Sequence, residues 1–100
     1  MIRLVRTAKI TGDMGKVNDA LDTLEKLYTD KFPQVKSVEY WQAISGPISK
    51  YQTELTFESL AKEEEWVRAV LKEDVYKQNM RILIENLSEI RDDLYRKSEG

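Results

Sequence analysis

Alternating apolar and polar residues open the chain and predict a β-strand over residues 2–10. Ile2, Leu4, Ala8 and Ile10 fall on one face of this strand, because successive side chains of a strand point to opposite sides. Arg6 lies on the same face as a single charged residue among apolar neighbours. The first element is therefore expected to cover a core with one face and to place a guanidinium there.

A helical period follows the first strand. Asp13 is the predicted N-cap, because its short carboxylate can accept the free amide hydrogens of a first turn. The apolar stripe recurs at spacings of three and four residues and consists of Val17, Ala20, Leu21, Leu24, Leu27 and Tyr28. Phe32 and Pro33 are expected to end the helix, since the residue before a proline is disfavoured in the α region.

Two alternating runs, 35–44 and 51–57, predict an antiparallel hairpin with a turn at Ser45, Gly46 and Pro47. One face of the first run is expected to carry Val35, Ser37, Glu39, Trp41 and Ala43, and the other Val38, Tyr40 and Ile44. One face of the second run is expected to carry Tyr51, Thr53, Leu55 and Phe57, and the other Gln52, Glu54, Thr56 and Glu58. Both faces of the hairpin are thus predicted to be partly apolar.

The second half of the chain predicts two helical pieces and an ambiguous tail. Ser59 is the expected cap of the first piece and Asp74 of the second. Their apolar stripes are Leu60, Trp66, Val67, Val70 and Leu71 in the first, and Tyr76, Met80, Leu83, Ile84 and Leu87 in the second. Residues 88–97 fit either a continuation of the helix or a last strand, and the pattern does not choose between them.

With a final strand, the element order is β-α-β-β-α-β, a ferredoxin-like α+β fold in which helices cover one face of an antiparallel sheet. Tyr40 and Trp41 are adjacent and project from opposite faces, so the helices cannot cover both. We expect residues 1–100 to form a single domain. We also expect a second copy to pack on the bare face, so that the two sheets close a dimeric α/β barrel. The alternative places Trp41 at a strand end or under a loop.

Composition excludes several chemistries. The 16 Lys and Arg residues against 18 Asp and Glu give a net charge of −2 without a basic block, which disfavours nucleic acid. The absence of Cys and His excludes thiol nucleophiles, imidazole bases and thiolate or His metal sites. Glu63, Glu64 and Glu65 are consecutive, so their side chains point in different directions around a helix and are not expected to bind one metal ion. We expect them to form a solvated face of the helix. Without a signal peptide or an apolar span, we expect a cytoplasmic protein that contacts no membrane.

Several short segments resemble the dimeric α/β-barrel superfamily. They are Met14-Gly15-Lys16 after the first strand, residues 55–59 at a strand end, and Glu65-Trp66 followed by residues 74–77. Within that superfamily the chain is similar to antibiotic-biosynthesis-type monooxygenases, haem-degrading monooxygenases and NIPSNAP proteins. The resemblance implies a homodimer with a ligand pocket between each sheet and its helices, and it favours the strand interpretation of the tail.

The resemblance also suggests site residues. In the haem-degrading branch a Trp ruffles the haem, a His binds the iron and an Asn on the first strand assists. Trp66 matches the Trp in position. Met80 or a neighbour occupies the position of the His, and residues 1–10 contain no Asn. No haem or other cofactor is therefore expected. The catalytic candidates are Arg6, Tyr40 and Tyr76, and the ligand-binding candidates are Trp66, Tyr51 and Asn79, with Glu54 and Arg91 as further possible lining. The preferred interpretation of Arg6 is a structural salt bridge, and that of Trp66 is a position in the hydrophobic core.

Two functions follow, and the sequence does not decide whether the protein is an enzyme. The first is a small homodimer that binds a small ligand or serves a structural role. The alternative is a cofactor-independent monooxygenase or isomerase acting on a small aromatic or polyketide-like substrate, and a stress-related partner protein is a third possibility. An enclosed cavity of about 300 Å³ with Arg6 or a tyrosine pointing inward would support the enzyme.

Overall fold

A computed structural model of the chain describes residues 1–46 and 49–97. Its elements are β1 Ile2–Ile10, α1 Met14–Lys31, β2 Val35–Gln42, β3 Lys50–Phe57, α2 Leu60–Val70, α3 Asp74–Asn86 and β4 Leu87–Arg96. The strands form one antiparallel sheet in the order β2-β3-β1-β4, with the helices against one face, here called the inner face. The predicted ferredoxin-like α+β fold is confirmed.

The ambiguous tail is a strand, as the family resemblance favoured. Helix α3 ends at Asn86, whose backbone carbonyl accepts hydrogen bonds from the amides of Thr11 and Gly12, both at 3.0 Å. The Asn86 side-chain oxygen accepts a third, from the Asp13 amide at 2.9 Å. A Cβ atom at Gly12 would clash with this side chain, so the close approach of the two segments requires glycine. These bonds join the end of α3 to the connection between β1 and α1.

The predicted helix caps are confirmed at two of three positions. The Asp13 carboxylate accepts a hydrogen bond from the Lys16 amide, and the Ser59 hydroxyl accepts one from the Lys62 amide. The prediction for the third helix is wrong: Asp74 is its first residue, and Glu73 occupies the cap position without a side-chain hydrogen bond. Asp74 still places a negative charge in the first turn, where the helix dipole favours it.

The inner face of the sheet forms the core with the helices. All six predicted α1 stripe residues are buried against it. The predicted face of Val35 is wrong, because the β2–β3 register shifts between Val35 and Ser37 and pairs Val35 with the inner-face residue Phe57. Val35 therefore packs against the core, not beside Trp41.

The opposite, outer face of the sheet is more polar than the sequence pattern predicted. Its apolar side chains at paired positions are Val5, Trp41 and Tyr95. The remaining positions are polar or charged and include Arg3, Thr7, Ser37, Glu39, Gln52, Glu54, Thr56, Arg91 and Asp93. Both faces of the hairpin were predicted to be partly apolar, but at its paired positions the outer face of the hairpin is apolar only at Trp41. Trp41 does lie there, 58% exposed, while Tyr40 faces the helices.

A β-bulge interrupts β4. The register pairs Lys9 with Ser88 and Thr7 with Arg91, so three steps along β4 match two steps along β1. Glu89, in the extra length, has φ 53°, in the left-handed region that is uncommon for residues other than glycine. Beyond the bulge, Asp92 pairs with Arg6 and faces inward, and Asp93 pairs with Val5 and faces outward.

Two further predictions are answered only in part. The hairpin between β2 and β3 is confirmed, and Gly46 adopts a positive φ of 68° in the turn, whereas Pro47 lies outside the described residues. Within the described ranges, none of the helices is both long enough and apolar enough to cross a membrane.

Candidate functional site

A small chamber lies between the inner face of the sheet and the helices. Its volume is about 30 Å³. Its apolar wall consists of Leu4, Leu21, Leu24, Leu55 and Leu83. Its polar and aromatic wall consists of Arg6, Tyr28, Tyr40, Tyr51, Thr53, Trp66 and Tyr76. A cavity needs roughly 10–15 Å³ to hold a water molecule, so this chamber admits a molecule of a few heavy atoms and not a substrate needing 300 Å³.

Trp66 is the central aromatic side chain of the chamber. It projects from α2 and is 4% exposed. Its ring makes edge-on contacts with Tyr28 and Tyr76, with ring centroids 5.4 and 6.4 Å away, and a tilted contact with Phe57 at 5.3 Å. These are the geometries that aromatic quadrupoles favour, so the position of the indole is fixed by packing from three elements.

Two hydrogen-bonding groups of the chamber walls are buried without a partner. They are the Tyr51 hydroxyl and the Trp66 indole N–H, which find no hydrogen-bond partner within residues 1–46 and 49–97. A buried polar group left unpaired costs about 1–3 kcal/mol, and native proteins contain few of them. Two residues that line the chamber thus carry buried polar groups whose hydrogen-bonding capacity is unused within the described residues. The Gln34 side-chain oxygen is also unpaired, but Gln34 does not line the chamber.

Arg6 lines the chamber from β1 and is paired with Asp92 of β4. The Arg6 Nε and Nη2 atoms donate to the two Asp92 carboxylate oxygens at 2.7 and 2.9 Å, a bidentate arrangement. The Nη1 atom faces the Met80 sulfur at 3.4 Å, which is a weak acceptor. The hydrogen bond to Asp92 raises the pKa of Arg6 further above its ordinary value, so the guanidinium is a permanent cation. The salt-bridge interpretation of Arg6 describes the structure.

The chamber tyrosines are hydrogen-bond donors at neutral pH and not bases. Burial raises the pKa of Tyr28, Tyr40, Tyr51 and Tyr76, because the phenolate would lose its hydration. Arg6 opposes this increase at Tyr51 and Tyr76 but does not reverse it. A general base works best with a pKa near the working pH, and the shift moves these phenols away from neutrality.

Five of the six predicted site residues converge on the chamber. Arg6, Tyr40, Tyr51, Trp66 and Tyr76 line it. The Tyr40 hydroxyl donates to the backbone oxygen of Leu21 at 2.6 Å, so its hydrogen bond is already used in joining β2 to α1.

Three other candidates lie elsewhere. Asn79 does not line the chamber, and its amide donates to the Val75 carbonyl one turn earlier in α3. Glu54 and Arg91 point to the outer face, where Glu54 lies 3.9 Å from Arg3 and Arg91 pairs with Asp93 at 2.8 Å. These three side chains do not line the chamber, and strand alternation and the bulge in β4 turn the last two to the outer face.

Sequence reasoning missed Asp92, Tyr28 and Thr53. Asp92 lies in the tail that fitted either a strand or a helix, so its position opposite Arg6 could not be predicted. Tyr28 was assigned to the core of α1, and its ring also borders the chamber. Thr53 alternates with polar residues on β3 and carried no separate signal.

The three consecutive glutamates are not one solvated face. Glu63 is buried, 7% exposed, whereas Glu64 is exposed. Burial first, and repulsion from Glu64 second, raise the pKa of Glu63 above its ordinary value. Within the described residues, no group of three acidic side chains converges to hold a metal ion.

No family model and no curated protein matches this chain. Solved structures do share its fold at low identity. A candidate antibiotic biosynthesis monooxygenase from Deinococcus radiodurans has 10% identity and a TM-score of 0.73, covering 100% of this chain and 95% of that one. A NIPSNAP family protein from Agrobacterium tumefaciens has 15% identity and a TM-score of 0.71, covering 98% and 86%.

A dimeric protein of unknown function with a ferredoxin-like fold, from Bacteroides fragilis, is also similar to this chain. It has 10% identity and a TM-score of 0.69, covering 96% of this chain and 95% of that one. The predicted resemblance to monooxygenases of the antibiotic biosynthesis type and to NIPSNAP proteins is confirmed at the level of the fold. Identities this low describe the fold alone.

Proposed function

We propose that this protein binds a small molecule carrying a hydrogen-bond acceptor in the chamber beneath its sheet, and that it works as a homodimer. The observation that carries the binding function is the pair of unpartnered, buried donors, the Tyr51 hydroxyl and the Trp66 indole N–H. An acceptor atom of the ligand that reaches either group would complete its hydrogen bond.

The binding function has more support than catalysis. A cofactor-independent oxygenase or isomerase must deprotonate its substrate, but the chamber phenols have raised pKa values and the Asp92 carboxylate is held by Arg6. The fold shared with a candidate monooxygenase keeps this alternative as the second proposal. Turnover would require an opened chamber, since about 30 Å³ does not admit an aromatic substrate.

Dimerisation through the outer face is supported by the shape and charge of that face. A groove of about 720 Å³ runs across it, with Val5 in its lining together with Tyr95. The groove is lined by three basic residues, Arg3, Arg96 and Lys97, and by two acidic residues, Glu54 and Asp93. A surface carrying both signs can complement a second copy of itself across a two-fold axis. One protein of similar fold is described as dimeric.

NMR tests the binding proposal directly. The chain contains two Trp residues, so a ¹H–¹⁵N spectrum holds two indole signals, one from buried Trp66 and one from exposed Trp41. Titration with acetamide should shift the Trp66 signal saturably and leave the Trp41 signal in place. Tyr51→Phe should weaken this binding about threefold to tenfold, the value of one hydrogen bond. The matched control Tyr95→Phe, on the outer face, should not. An unchanged Trp66 signal at saturating acetamide would contradict the proposal.

Sedimentation velocity tests the dimer. The expected mass is twice the 11.7 kDa of the chain at micromolar concentration. Trp41→Asp on the outer face should give a monomer, whereas Ile84→Asp, at an equally exposed apolar residue on α3, should leave the mass unchanged. A wild-type monomer, or dissociation by both variants alike, would contradict outer-face pairing.

A further inference from the structure

Arg6 and Asp92 decide the charge that the chamber accepts. The two side chains lie on neighbouring strands, and their ion pair is bidentate, with both Asp92 oxygens engaged. The third guanidinium nitrogen, Nη1, donates to the Met80 sulfur at 3.4 Å. The Arg6 charge is thus balanced within the protein before any ligand enters.

We infer that the chamber selects an uncharged ligand, such as a small amide or ketone, over a carboxylate of the same shape, and that Asp92 is the residue that sets this preference. This inference rests on the proposed binding function. The unpaired groups of the chamber walls, the Tyr51 hydroxyl and the Trp66 indole N–H, can both donate to an acceptor on the ligand. An anion there would share one cation with Asp92 and would lose its hydration without a full counter-charge.

The bulge in β4 makes Asp92 available for this role. Between Ser88 and Arg91, β4 has one residue more than the matching stretch of β1. If the same sequence paired regularly from Ser88 opposite Lys9, with no bulge, Arg91 would lie opposite Arg6 and Asp92 would turn to the outer face. Asp92 is therefore a specificity-determining residue whose orientation depends on the left-handed conformation of Glu89.

Acetamide and acetate test the inference, because they have the same size and shape and differ in charge at pH 7. Binding of each is followed by the Trp66 indole signal. Wild-type protein should bind acetamide and should bind acetate at least tenfold more weakly. In Asp92→Asn the unpaired guanidinium should raise acetate affinity at least tenfold over wild type, with acetamide affinity changed by less than about threefold.

Two variants serve as controls. Asp93→Asn removes the neighbouring carboxylate, which forms the same kind of ion pair with Arg91 on the outer face, and should leave both affinities at their wild-type values. The double variant Arg6→Gln/Asp92→Asn removes the cation as well and should not gain acetate affinity. If Asp92→Asn does not fold, Asp92→Ser carries the same expected gain.

The outcomes separate the two proposals. If acetamide binds but Asp92→Asn gains no acetate affinity, or if wild type prefers acetate, the charge selection is wrong and the binding function stands. If neither probe moves the Trp66 signal in any of the proteins, both are wrong.

Discussion

Adjacent residues of β4 form two ion pairs of similar length on opposite faces of the sheet, the inner one bidentate and the outer one through a single hydrogen bond. Arg6 pairs with Asp92 at 2.7 Å on the inner face, and Arg91 pairs with Asp93 at 2.8 Å on the outer face. The Arg6 side chain is 21% exposed and the Arg91 side chain 76%. The two carboxylates are similarly exposed, 41% for Asp92 and 34% for Asp93, so the pairs differ in their guanidinium groups: that of Arg6 borders the chamber and that of Arg91 is exposed.

This contrast teaches that environment, not distance, decides what an ion pair does. Exposed pairs contribute little, because water screens them and ordering two long side chains costs entropy. A partly buried guanidinium that loses its partner keeps its charge in a place where water reaches it poorly. The same reasoning applies to the two tryptophans, one inside and one outside.

The largest expected effect separates the two tryptophans. Trp66→Ala should reduce the free energy of unfolding by about 3–5 kcal/mol, because it empties a site packed by Tyr28, Phe57 and Tyr76. Trp41→Ala should cost about 0.5 kcal/mol or less in the monomer, since the ring is already 58% exposed. Urea denaturation at a concentration where both proteins are monomeric measures the difference. Equal losses would break the contrast between the faces.

A smaller effect separates the two carboxylates. Asp92→Asn should lower the free energy of unfolding by about 1–2 kcal/mol, because Arg6 loses its partner in a half-buried position. Asp93→Asn should change it by about 0.5 kcal/mol or less. Denaturation of the two variants in low and high salt gives the comparison. A larger loss at Asp93 would mean that the outer pair is the buried one in solution.

The smallest effect concerns the bulge between the faces. Glu89→Gly should raise the free energy of unfolding by about 0.5–1 kcal/mol, because glycine adopts a φ of 53° without steric cost. The matched change Glu85→Gly, in α3, should lower it by about 1 kcal/mol, since glycine is a poor helix residue. Thermal unfolding resolves opposite signs of this size. Destabilisation by both would show that the left-handed conformation of Glu89 is not strained.

Much of the fold was predictable from the sequence because α1 has a complete apolar stripe; the predicted stripes of the later helices are wrong at Leu60, Leu71 and Ile84, which are exposed. The six buried residues of α1 were all identified, and Asp13 and Ser59 were identified as caps. These signals are local, with partners three or four residues apart. The antiparallel hairpin was predictable for the same reason, since its two runs alternate around a short turn.

The errors arise where one extra residue changes the phase of a strand. Val35 was assigned to the outer face and lies inward, and the tail was left open between helix and strand. A bulge has no distinct pattern in a single sequence, because it depends on the pairing strand. Five of the six site candidates line the chamber, since Arg6 and the aromatic residues stand out in apolar stripes, and their roles stay a prediction. Asp92 was missed, since its role depends on contact with a residue 86 positions away.

The pairing of β1 with β4 has a consequence for how the chain is made. Ile2 lies opposite Phe57 on one side and opposite Arg96 on the other, so the first strand finds its second neighbour only when the last strand exists. At a synthesis rate of about 5–20 residues per second, a nascent chain on the ribosome holds an unsatisfied strand edge for several seconds. Polypeptides that end before residue 87 would lack β4 and leave this edge of β1 unpaired, and they are expected to aggregate or be degraded.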